Sequence, residues 1–247
     1  MKIGIMQAYF FPYIGYFQVI DAVDKFLIYE NVSFRKRTWI TRNRLLGKST
    51  GEPFLINVPV SQGSSNKTIS DITINNDSDW RNNLLQAIYH NYKRADFFEL
   101  VYPIIAECVH FKHESLHNYN SRIILKLCQL LSIQTRIEFR HKRYIPLENN
   151  LKSQKEILYK NSKTRRIIEI CSTEGANEYI NSIGGTDLYQ KQDFIKKGVK
   201  LNFAKPHTPT SYNQFNNTFT PHLSIIDLLM HTGVENTRVE LKNYELI

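Results

Sequence analysis

Apolar and polar residues alternate along this chain at two periods, and the dominant period changes near residue 79. The run Lys2-Ile3-Gly4-Ile5-Met6-Gln7 reads as a short buried strand. A turn around Pro12 leads into 14–23, where Phe17, Ile20 and Val23 recur at helical spacing. Residues 25–29, Lys-Phe-Leu-Ile-Tyr, read as a second strand, so the opening is β-α-β with a parallel pair and a right-handed crossover. Residues 54–60 are expected as a strand stopped by Pro59 and the polar loop 62–66, and 69–74 as another.

Beyond Trp80 the spacing turns helical. Leu84, Leu85, Ile88 and Tyr92 share one helical face, with Asp79 as the expected N-cap. Further helices are expected at 121–131, at 163–171 closing near Gly175, and at 223–231 stopped by Gly233. A strand is expected at 134–139 and a loop at 182–186; no internal repeat or low-complexity linker is visible. The fold class read from this pattern is α/β. A Rossmann-like part of nucleotidyltransferase (HUP) type over 1–78 merges into a mostly helical part over 79–247, packed on it as one unit.

Composition narrows the partners. With 42% hydrophobic and 22% charged residues in 247, the chain is neither disordered, nor collagen-like, nor a disulfide-stapled miniprotein. The formal charge of +9 favours polyanions such as nucleotides, sugar diphosphates or RNA. Three scattered cysteines without a CxxC pair fit a reducing compartment. Gln7, Pro12 and Gln18 interrupt the apolar N-terminus, and no run reaches membrane-spanning length, so the expected localisation is cytoplasmic.

The cations cluster. Arg35, Lys36, Arg37, Arg42, Arg44 and Lys48 occur between Glu30 and Glu52 without an acidic residue, interleaved with Phe34, Trp39 and Asn43. That mixture suits phosphate contact with ring stacking. A second run, 140–166, holds nine Lys or Arg against Glu148 and Glu156 and is read first as a solvated face. Phe11-Pro12-Tyr13-Ile14-Gly15-Tyr16 sits between the first strand and its helix, where α/β folds place phosphate, and Gly15 would allow close approach. Near the C-terminus, Pro221 and Ser224 signal a helix start with Asp227 in its first turn, read either as a dipole-complementing carboxylate or as one beside a pocket. His113-Glu114-Ser115-Leu116-His117 spells H-E-x-x-H, which on a helix would bind zinc with Glu114 as base, but no metzincin extension follows.

These segments together resemble the WbqC-like family. The resemblance rests on Met6-Gln7-Ala8-Tyr9-Phe10-Phe11-Pro12-Tyr13-Ile14-Gly15-Tyr16-Phe17-Gln18, on residues 34–43, and on Phe219-Thr220-Pro221-His222-Leu223-Ser224-Ile225-Ile226-Asp227-Leu228-Leu229, with Val58-Pro59-Val60 and Gly184-Gly185 in order between them. The chain departs from the family pattern at Ala8, at Glu30-Asn31 and at Thr41.

The resemblance implies a role in surface-polysaccharide (O-antigen) biosynthesis: an amide formed on the amino group of a nucleotide-linked, dTDP-type amino deoxysugar by acyl or aminoacyl transfer, glycyl for example. ATP or aminoacyl-tRNA would supply the donor, and tRNA would then be a partner. Tyr16 and Asp227 are the expected catalytic groups, orienting or deprotonating the amine. Gln7, Tyr9, Tyr13, Gly15, Arg35, Lys36, Trp39, Arg42, Asn43 and Ser224 are the expected substrate contacts, with no metal ligands assigned. The alternatives are a non-catalytic nucleotide-sugar or RNA-binding protein and, less favoured, a zinc hydrolase using 113–117.

Overall fold

The computed structural model describes residues 1–139, 141–153, 162–207, 211–215 and 217–247. The chain opens with β1 (Lys2–Met6), α1 (Ile14–Asp21) and β2 (Lys25–Ile28), and β1 and β2 pair in parallel as the sequence pattern predicts. An antiparallel hairpin follows, β3 (Arg42–Leu46) with β4 (Pro53–Asn57). Then come the two-residue strands β5 (Val60–Ser61) and β6 (Thr73–Ile74). The strand expected at 54–60 breaks before Pro59, which has no N–H to give a ladder. The one expected at 69–74 begins instead as a 3-10 turn, Ile69–Asp71, in which Thr68 and Asp71 cap each other.

Three helices follow: α2 (Trp80–Tyr92), α3 (Phe98–Val109) and α4 (Leu116–Leu130). Asp79 precedes α2 as expected but does not cap its backbone; its carboxylate accepts from the Asn82 side chain. Then β7 (Arg136–Glu138), α5 (Ile145–Ser153), α6 (Ser162–Glu174) and β8 (Glu178–Ser182) lead to α7 (Lys191–Ile195) and β9 (Lys200–Pro206). The chain ends with α8 (Ile225–Glu240) and β10 (Tyr244–Leu246). Gly233, at φ 76° and ψ 177°, interrupts α8 where the sequence expectation ended it, and the helix resumes beyond.

Six strands make one sheet in the order β10-β9-β8-β1-β2-β7, parallel throughout except for β10. The fold is therefore mixed α/β with a parallel-rich sheet. Beyond residue 78 the described helices α2 to α8 outweigh the strands, but this part also supplies β7, β8, β9 and β10 to the sheet. Those strands carry polar residues such as Glu178, Asn181, Asn202 and Lys205, which dilute the apolar signal.

Both faces of the sheet are covered. Ile3, Ile5, Leu27, Tyr179, Leu201 and Phe203 pack against Ile167 and Ile170 of α6 and Phe194 of α7. Phe26, Ile28, Ile180 and Ala204 pack on the other side with α1, α4 and α8. Gly4 lets the Phe26 ring close against β1, since a Cβ there would lie 2.7 Å from a ring carbon. Such two-sided burial of a parallel sheet contributes about 1.5–3 kcal/mol for each fully buried large apolar side chain. Among the described residues, no helix is long and apolar enough to cross a membrane.

Candidate functional site

The segment joining β1 to α1 is fixed by Tyr16 of α1 and by side chains from three distant parts of the chain. The Tyr16 hydroxyl donates to the Gln7 carbonyl at 2.9 Å, and the Asn120 amide of α4 to that of Ala8 at 3.0 Å. Asn43 of β3 donates to the carbonyls of Phe10 and Phe11. Ser224, the N-cap of α8, donates to the same Phe11 carbonyl at 2.8 Å, and the Ile225 N–H reaches Pro12 at 3.0 Å. Phe11 adopts φ 41°, a left-handed conformation uncommon for a bulky residue. The bonds to its carbonyl hold it there.

This loop stands beside the crevice that open α/β sheets form where their strand order reverses. Numbered by their order along the chain, the five parallel strands lie 3-2-1-4-5 across the sheet, so the order reverses between β1 and β8. At their carboxyl ends β1 leads to α1 on one face, and β8 leads through the turn Ile183–Gly185 to α7 on the other. Open α/β sheets bind ligands at such a divergence. Tyr9 on the first connection and Tyr189 on the second are both half-buried, and near enough for Tyr9 to act on the Tyr189 hydroxyl. The Tyr189 ring lies 6.0 Å from that of Tyr179, whose hydroxyl reaches the Ile5 carbonyl of β1 at 3.4 Å. A Cβ on Gly184, at the crevice mouth, would meet nothing within 4 Å.

Next to Tyr189, a polar cluster is sunk into the apolar layer. Tyr29, directly after β2, donates its hydroxyl to Glu148 of α5 at 2.6 Å. Arg166 of α6 forks onto the same carboxylate, Nη2 to Oε2 at 2.9 Å. Burial, then the bond to Glu148, raises the Tyr29 hydroxyl far above the ordinary tyrosine range. Burial works against the Arg166 charge, but Glu148 outweighs it and the guanidinium pKa is raised.

The expected substrate contacts divide between this crevice and its surroundings. Gln7, Tyr9 and Tyr13 are half-buried on the loop, while Gly15 is buried under the Tyr13 ring, which fills the space a Cβ would need. Tyr16 is fully buried, and burial raises its hydroxyl well above the ordinary value, so at neutral pH it is a donor and not a base. Arg35, Lys36 and Trp39 are exposed; Arg42 is half-buried on β3, and Asn43 and Ser224 are buried in the clamp. Arg44 lies 5.8 Å over Trp39 and donates to the His222 carbonyl, and the His222 ring meets Tyr13 edge-on at 5.9 Å. That chain of contacts joins the cationic segment to the loop.

Asp227 is a buried hub with no exposed surface. It accepts from Tyr92 and Tyr212, each at 2.6 Å, and from Gln214 at 2.8 Å. The Tyr92 hydroxyl in turn accepts the Leu46 N–H at 2.8 Å. The H-E-x-x-H motif lacks the helical geometry that zinc chemistry needs, because α4 begins only at Leu116 and leaves His113 and Glu114 outside it. His117 is buried and pairs with Glu30 at 3.0 Å. Among the described residues no group of three His, Cys, Asp or Glu side chains is placed to hold a metal ion.

Sequence reasoning missed Tyr29, Glu148, Arg166 and Tyr189. Arg166 and Glu148 lie inside the basic run read as a solvated face; one of only two acids among nine cations was the signal. Arg140 and residues 154–161 of that run lie outside the described residues.

Comparison with known proteins places these segments in context. The WbqC-like protein family matches residues 7–239. An uncharacterized protein of Mycobacterium tuberculosis, Rv1507c, is 27% identical over 236 residues, covering 95% of each chain. No solved structure is significantly similar.

Proposed function

Because the chain belongs to the WbqC-like family, we propose that it forms an amide on the amino group of a nucleotide-linked amino deoxysugar, in the assembly of a surface polysaccharide such as O-antigen. The observation that carries this reading is the rigid loop 7–13, bordered on one side by the crevice and on the other by the cationic aromatic face of Trp39, Arg42 and Arg44. The strand order and the two-sided covering support a Rossmann-like fold with a nucleotide at the carboxyl end of β1.

Arg35, Lys36 and Arg42 would hold the phosphates of one substrate, and exposed Trp39 would stack on a base or sugar ring. The sugar amine attacks the acyl carbon of a donor, an aminoacyl adenylate made from ATP or an aminoacyl-tRNA, and AMP or the tRNA hydroxyl leaves. Tyr16 orients the amine's surroundings through the Gln7 carbonyl, and Asp227 does so by fixing Tyr92 and Tyr212.

Mass spectrometry tests the proposal. dTDP-4-amino-sugars are incubated with the protein, glycine and ATP, or with charged tRNA with and without ribonuclease. A mass gain of one glycyl group is expected, and its dependence on ATP or on intact tRNA names the donor. Binding of the nucleotide sugar without any mass gain, across a panel of acyl donors, would favour a non-catalytic binding protein instead.

A further inference from the structure

The proposed reaction needs two phosphate-bearing substrates, and the cationic face at 35–44 accounts for one. We propose that Arg166 is the anchor of a second nucleoside-phosphate site, in the crevice between Tyr9 and Tyr189 on the other side of the loop. The inference rests on the two-substrate reading for its motive, but its content is a binding site and not a reaction.

Three observations carry it. Arg166 comes from α6, which packs on the face of the sheet toward which β8 leads, and it lies near enough to Tyr29 after β2 and to Tyr189 after β8 to interact with both. Its side chain retains 18% exposure although Glu148 is buried, so the guanidinium lies at the boundary between the apolar layer and solvent. Glu148 occupies only part of it: a guanidinium has five N–H donors, and the fork onto the carboxylate uses one on Nε and one on Nη2.

The carboxylate is itself satisfied, since the Tyr29 hydroxyl donates to the Oε1 that the Nε also reaches. Glu148 and Tyr29 thus lock the orientation of Arg166 without consuming the donors suited to phosphate. Preorganisation of this kind lowers the ordering cost of binding. Half-buried Tyr9 and Tyr189 supply two neighbouring aromatic rings, and open Gly184 leaves room for a phosphate to approach the backbone. A guanidinium with free donors flanked by aromatic rings matches the phosphate-plus-ring chemistry of a nucleotide.

Isothermal titration of the intact protein with dTDP and, separately, with ATP distinguishes the two sources of that chemistry. Wild type is expected to bind one of them measurably. Arg166→Met should weaken that ligand at least tenfold and Tyr29→Phe a few-fold, whereas Lys126→Ala, which removes a surface cation paired with Glu107, should leave it within twofold. Because Arg166→Met strands the Glu148 charge and can cost folding, the Arg166→Met/Glu148→Met double variant removes both charges together. It should keep its thermal transition and show the same loss.

No binding of either nucleotide by wild type, or full-strength binding of both by the folded double variant, overturns the site. Nucleotide binding that depends on Arg166, in a protein that forms no amide, would sink the transferase reading and leave this site standing.

Discussion

Asn43 donates its side-chain amide to two successive carbonyls, Phe10 at 3.0 Å and Phe11 at 2.6 Å, while its own oxygen accepts the Arg44 N–H at 2.8 Å. One buried side chain thereby ties β3 to the strained turn that precedes α1. Asn43→Ala leaves two buried carbonyls short of a donor, although Ser224 still reaches Phe11. A loss of about 1–3 kcal/mol is expected, the cost of one buried carbonyl, that of Phe10, left without this donor. Urea unfolding should show a lower midpoint at unchanged slope, and a shift below half a kcal/mol would mean that the loop is not held by this residue.

Asp227 answers three donors at once, so its removal should register mainly as stability. Asp227→Ala takes the carboxylate acceptor from Tyr92 and Tyr212, though Gln214 keeps the Thr220 carbonyl, and is expected to cost about 3–5 kcal/mol, the range for breaking a buried polar network. Tyr92→Phe, which removes one donor and leaves the carboxylate with the other two, should cost about 1–2 kcal/mol. Thermal unfolding of the two variants, ranked in the opposite order, would contradict the hub.

Glu174 gives the fold an acid-sensitive element. Burial alone would raise its carboxyl, but hydrogen bonds from Lys25 and Tyr144 and the charges of Lys25 and Arg143 hold it below the ordinary value. A carboxyl depressed in the folded state contributes stability that is complete above its unfolded pKa, about 4.3, and is lost as pH falls through the folded value. Stability should therefore decline below about pH 4, and Glu174→Gln, less stable at pH 7, should decline less steeply there. Parallel slopes for the two proteins would remove Glu174 from that account.

The thiols are shielded. Cys108, Cys128 and Cys171 are all buried, and burial pushes Cys108 and Cys171 up to about 12 and Cys128 higher still. At pH 8 the native protein should react negligibly with a thiol-directed reagent, and three equivalents should titrate after denaturation. Rapid modification of one native thiol would mean that the surrounding helices open readily.

Local patterning made the opening β-α-β unit, α2 and α6 legible, because their apolar residues repeat on one face or fill a short central strand. It did not reveal β8 and β9. Glu178 and Asn202 within them bond to each other across the ladder, a pairing of strands 24 residues apart that has no local signature. The loop at 7–16 stood out through its crowded aromatics and Pro12. Its partners Asn120 and Ser224 come from 112 and 213 residues away, so the clamp is a tertiary fact. Asp227 was visible as a first-turn carboxylate, but Tyr92, which satisfies it, lies 135 residues earlier in the chain.

The central position of β1 has a consequence during synthesis. Lys2 pairs in register with Glu178, so β1 acquires its second neighbour only after a further 176 residues have been made. At roughly 5–20 residues per second, that interval is on the order of 10–35 s. Throughout it, one hydrogen-bonding edge of Ile3 to Met6 stays open beside the apolar surface that α6 and α7 will later cover. A nascent chain with such a delay is a natural client for a chaperone, and truncations that end before β8 should accumulate as insoluble material.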